Sequence, residues 1–394
     1  MSVTIMLAGL ALVGSGLGGE AAYVLLAVGA SETAFPLTVV TSVAGLASLS
    51  LGLGGTLIWQ GVRTWRGEPD GLFHFPHPIG LGVLFVGAMA IGQGVLSFDL
   101  APRLFFPPFQ VLAGILPAAI ILAFVGRRLS QVARQREIVG LLASGMLLAG
   151  PGAIVLVGMA GLALALFLTT LVVLTPGGLD TVQSLLLNIR DPAWLEDPNS
   201  VASLIFTPLG LAGLFLLVVI IGPLIEEMLK PVGVLLIRRR PKRAEAFLWG
   251  IAGASGFAMV EGVLNSAVDL DAWLAVASMR VGTSLMHCLA GGLVGLGWYF
   301  LWSARRPLQG IGLYLLAVVL HGTWNAVTLG IGGLAFVAPE IGDALAGLGL
   351  TVLLGTLGFL IVVALVALAW LVRRLRADLR GQADLEVALG PLEG

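Results

Sequence analysis

Glu226 and Glu227 stand side by side in an apolar run from Val201 to Ile237, and Lys230 follows them. Further along, Glu261, His287, His321 and Asn325 interrupt other apolar runs. Ionisable groups at membrane depth cost several kcal/mol even on the cheaper insertion scales, so they usually mark function. The chemistry these side chains offer is water activation. Burial raises a carboxyl pKa and a neighbouring Lys or His lowers it again, and a Glu tuned this way serves as general base. Two histidines and one or two glutamates (Glu227, Glu261, His287, His321) also make a zinc shell with an open position for water. Asn325 with a histidine can stabilise an oxyanion. Residue types alone leave metal-held and metal-free water both open.

Spacing adds local detail. Glu226 and Lys230 are i, i+4, so a continuous helix would put them on one face as a charge pair. Glu227 points about 100° away and needs another partner. His321 and Asn325 share the same offset, as do Phe257 and Glu261. Nearby glycines (Gly253, Gly256, Gly262, Gly291, Gly292) permit close helix approach.

The elements that must position these groups are membrane helices. Hydrophobic residues are 58% of the chain, charged residues 11%, and the mean hydropathy is +1.02. A soluble chain carries about a quarter charged residues, so composition points to an all-α polytopic transmembrane bundle. The net charge of -1 gives no reason to expect nucleic acid; the lipid bilayer is the partner. A single cysteine, Cys288, excludes an intrachain disulfide. The N-terminus has no basic stretch ahead of its apolar run, and reads as a first span rather than a cleaved signal.

Runs of about 20 apolar residues are the unit of spanning. Ten occur, at 3–29, 36–60, 78–98, 105–126, 139–175, 201–237, 246–268, 273–302, 308–331 and 341–372. Two are too long for one simple helix, and Gly150-Pro151 and Gly222-Pro223 are expected to break them. Of 21 Lys and Arg, 17 fall in clusters at Arg63/Arg66, Arg127–Arg136, Arg238–Arg243, Arg305/Arg306 and Arg373–Arg380. These follow every second span, while the alternate connections hold only Arg103 and Arg190. The positive-inside rule then puts both termini in the cytoplasm. The organisation expected is an N-terminal region of five spans (1–200) whose role the sequence leaves unknown, a C-terminal catalytic core (201–373) and a cytoplasmic tail (374–394), polar and loose after Arg380.

This topology fixes depth. Glu226 lies 12 residues before Arg238, about 18 Å at helical rise. Glu261 lies 8 residues before Asp269, about 12 Å. His287 lies 16 residues past Asp271 and His321 15 past Arg306, about 24 and 22 Å. In a core about 30 Å thick these fall in one central band. Blander readings stand beside this one: a polar network that only locks packing, Lys230 as a charge-balancing partner, Arg280 snorkelling outward, Cys288 and Trp324 as packing residues, and His74 and His77 as loop residues. Glu20 is either a lone buried acid or part of an N-terminal polar cluster.

The ordered set Glu226-Glu-Met-Leu-Lys230, Phe257-Ala-Met-Val-Glu261, His287 and His321-Gly-Thr-Trp-Asn325 resembles the PrsW family of intramembrane proteases, relatives of the CAAX prenyl proteases and bacteriocin-processing enzymes. The resemblance implies an endopeptidase acting on membrane-anchored proteins. It implies that Glu226 activates water, Glu227 assists, and His321 and Asn325 form the oxyanion hole. Glu261 stands where the prenyl-protease branch has a histidine. The alternatives carried from the residues are a proton-coupled transporter using the buried acids as a relay, and a non-catalytic membrane scaffold. Low lysine, two of 21 bases, points to a prokaryotic cell membrane. Substrate and oligomeric state are not legible.

Overall fold

A computed structural model describes residues 2–29, 35–237, 239–266 and 270–389. Arg238 of the third basic cluster and Asp269, the outer marker for Glu261, lie outside the described residues. Ten described helices are long and apolar enough to cross a membrane: α1 (Ser2–Gly29), α2 (Leu37–Trp65), α3 (Pro78–Ser97), α4 (Pro102–Arg128), α5 (Gln135–Val173), α6 (Pro208–Leu235), α7 (Arg243–Asn265), α8 (Trp273–Ser303), α9 (Pro307–Leu334) and α10 (Asp343–Gly381). They match the ten apolar runs one for one. Among the described residues there is no sheet, only a lone pairing of Leu72 with Arg134.

Both long runs break where expected, by the same device. A widened turn, Gly145–Ala149, precedes Gly150-Pro151, and another, Leu216–Ile221, precedes Gly222-Pro223. Proline cannot donate to the carbonyl four residues back, so the turn before it opens by one residue instead of ending the helix. Residues 201–205 do not join α6. They belong to a short helix, Pro198–Ile205, and α6 starts afresh at Pro208, where the Thr207 hydroxyl accepts the Gly210 N–H at 3.0 Å. The tail differs from expectation: the helix of α10 runs on to Leu389.

The chain forms two compact units. The first comprises Met1–Gly150, Leu229–Ala317 and Gly358–Gly394. Its centre is α7, buried along nearly its whole length. Small residues allow this. A Cβ on Gly250 would lie 2.0 Å from the Gly291 carbonyl of α8, and one on Gly262 2.3 Å from that of Gly114 in α4. Arg239 fixes the start of α7, donating to Glu137 Oε1 at 2.8 Å and Glu245 Oε2 at 2.8 Å. Burial works against its charge, but the two carboxylates outweigh burial and hold its pKa above the ordinary value. The second unit comprises Pro151–Met228 and Val318–Leu357. In it the later part of α5 packs on α6 through Gly213 and Leu168, and Phe206 meets Phe336 with ring centres 5.0 Å apart.

Candidate active site

In the second unit the site begins with the break in α6. The Gly222 N–H bonds Leu217 O, five residues back, and so abandons Val218 O. Asn325 on α9 supplies the missing donor: its Nδ2 lies 3.0 Å from Val218 O. Gly322, one turn earlier, lets α9 come this close, since a Cβ there would stand 2.4 Å from Val219 O. Past the break, helix resumes at Gly222–Leu229 and carries both glutamates. Glu227 is fully buried, and its Oε1 lies 2.8 Å from His321 Nδ1. Glu226 Oε2 lies 3.7 Å from His321 Nε2. Two carboxylates that diverge by about 100° on their own helix thus address the two nitrogens of one imidazole.

The two distances differ in kind. A contact of 2.8 Å is a hydrogen bond, and with the ring proton on Nδ1 it is donated to the Glu227 carboxylate. Nε2 then turns its lone pair toward Glu226. A separation of 3.7 Å is too long for a direct bond between them. It suits two groups that share a third atom.

In the first unit a second buried polar chain runs through α7 and α8. Lys230 is fully buried and its Nζ lies 2.7 Å from His287 Nδ1. His287 Nε2 lies 2.6 Å from Glu261 Oε2. Arg280 reaches the same carboxylate at 3.1 Å, and Asn265 Nδ2 donates to its other oxygen at 3.0 Å. Phe257 lines this chain: its ring is 5.3 Å from that of His287 and 4.8 Å from Lys230 Nζ. An ammonium can only donate, so beside Lys230 in that form Nδ1 accepts and the ring proton sits on Nε2.

Two sequence expectations change. Arg280 does not snorkel outward; it is 7% exposed and pairs with Glu261, because a carboxylate on the neighbouring helix offers a better partner than the interface. The helix bearing Glu226 ends at Leu229, ahead of Pro231, and Lys230 lies in the turn that follows. Lys230 bonds His287. The packing readings stand for Cys288, buried beside Ser255 at 3.4 Å, and for Trp324. His74 and His77 are exposed in a loop rather than packed. Glu20 accepts from Ser48 Oγ at 3.0 Å across α1 and α2. The sequence reading missed Gly322 and the Val218 carbonyl. Pro223 was the available signal, since a proline in a span obliges some neighbour to satisfy a displaced carbonyl.

A helical chain with ten apolar spans and two buried clusters of acids, histidines and bases defines a multi-pass membrane protein with the side chains of a hydrolase. The sequence pattern of the PrsW family intramembrane metalloproteases matches residues 136–369, more than half of the chain. The chain belongs to that family and is an intramembrane protease. Comparison with curated proteins and with solved structures gave no significant match.

Proposed function

We propose that the protein hydrolyses a peptide bond of a membrane-anchored protein, with Glu226 as general base on a water held between its carboxylate and His321 Nε2. The 3.7 Å gap between Glu226 Oε2 and His321 Nε2 carries this reading. Glu226 accepts a proton as the water oxygen bonds to the scissile carbonyl carbon. The same proton passes to the leaving nitrogen as the C–N bond breaks. Glu227, hydrogen-bonded to His321 Nδ1, holds the ring and its tautomer. All the residues proposed for the site, Glu261 and His287 included, lie within 201–373, which we propose as the catalytic region; residues 1–200 and 374–394 have no role assigned. The cytoplasmic position of the termini belongs to this reading too.

The donor set of the second unit suits a borderline-soft ion such as zinc: one imidazole nitrogen and carboxylate oxygens, with the other ring nitrogen already committed to a carboxylate. His321 Nε2 and the Glu226 carboxylate would hold the ion. When bound it would lower the pKa of water and polarise the scissile carbonyl. Of the other candidate ligands, Glu227 orients His321. Glu261 and His287 would have to leave each other, Arg280 and Lys230 to ligate.

The test is cleavage of co-reconstituted single-span reporter proteins by the full chain, with metal content measured in parallel. Glu226→Gln should lower the rate at least about 100-fold with folding intact. Full cleavage by this variant would reject the assignment. Chelation should remove zinc and activity together; full activity in metal-free protein would leave Glu226 acting on water without an ion.

A further inference from the structure

Asn325 is the site residue whose expected oxyanion role fits its geometry least. We infer that it is a positioning residue: it caps the carbonyl freed by the break in α6 and so fixes the short helix that presents Glu226 and Glu227. Three observations converge. The Gly222 N–H serves Leu217 O, which leaves Val218 O without its helical donor. Asn325 Nδ2 points at that oxygen at 3.0 Å. Gly322, one turn before Asn325, brings the two backbones together where a Cβ would meet Val219 O at 2.4 Å. A carbonyl deprived of its donor inside hydrocarbon has no water to turn to, so an amide aimed at it serves a defined need. His321 sits on the same helix as Asn325 and bonds Glu227 at 2.8 Å. The His-Gly-Thr-Trp-Asn segment therefore grips the broken helix at two levels, at Val218 before Pro223 and at Glu227 after it.

The effect on cleavage rests on the hydrolytic reading above; the following measurement does not. Hydrogen exchange of residues 216–222 is followed by mass spectrometry in the substrate-free full chain in lipid nanodiscs. Asn325→Ala and the isosteric Asn325→Asp, which lacks the donor, should each speed exchange there at least about tenfold. Thr323→Val, on the same helix, should leave it unchanged. Pro223→Ala restores a backbone N–H, so Gly222 can return to Val218 O, and in that background Asn325→Ala should change exchange less than about threefold. A residue acting only on an oxyanion would leave the empty protein's exchange unaltered, and that result overturns the inference. Faster exchange spread equally over α7 overturns it as well, since it marks loss of fold rather than of a local lock.

Discussion

Asn265 Nδ2 and Arg280 Nη1 donate to Glu261 Oε1, while Arg280 Nη2 and His287 Nε2 stand at ion-pair distance from Oε2. Glu226 Oε2, by contrast, stands 3.7 Å from His321 Nε2. Breaking the first arrangement should therefore cost stability. Arg280→Met should destabilise the protein by about 1–3 kcal/mol, reduced from the fully buried case because Glu261 keeps some exposure. Adding Glu261→Leu should recover part of that loss, because the carboxylate no longer sits beside a missing partner. Thermal unfolding in detergent reads both. A loss no greater for Arg280→Met than for an exposed arginine such as Arg305→Met would restore the snorkelling view.

At the scale of elements, the ten helices could be read from apolar run length alone, since a hydrocarbon core imposes that length. The residues that do not belong in hydrocarbon could be read as well: Glu226, Glu227, Glu261, His287 and His321 each lie on an element that the sequence delimits. Which of them meet could not be read. Depth placed them all in one band, yet pairing depends on azimuth, and azimuth changes at a widened turn. The extra residue at Leu216–Ile221 rotates everything after it on that helix. The close approach of α9 to α6 was hidden for another reason: Gly322 is one glycine among 55, and nothing local marks it. Gly322→Ala tests its importance. The added Cβ would stand 2.4 Å from Val219 O, so one helix must shift. The expected outcome is a loss of about 1–3 kcal/mol in thermal stability and slower cleavage, while Gly312→Ala, with open space at its Cβ, should be silent. Equal behaviour of the two variants would mean that α9 and α6 have slack.

For the molecule as a whole, orientation decides from which side of the membrane a substrate meets the proposed site. The basic clusters lie at or just past the C-terminal ends of α2, α4, α6, α8 and α10, and the positive-inside rule turns that alternation into cytoplasmic termini. It also requires α5 and α6 to cross once each despite their breaks. The chain lends itself to a direct test, because Cys288 is its one cysteine and is fully buried. Gln131 lies exposed between α4 and α5, and Gln183 lies exposed in the helix Gly178–Asn188 between α5 and α6. A membrane-impermeant maleimide applied to intact expressing cells should label Gln183→Cys, and should label Gln131→Cys only after permeabilisation. The unaltered chain, with Cys288 alone, should stay unlabelled in both conditions. The opposite pattern would invert the protein. Labelling of both positions from one side would mean that α5 turns back at Gly150-Pro151, and the depth assigned to Glu226 from its distance to the basic cluster would fall with it.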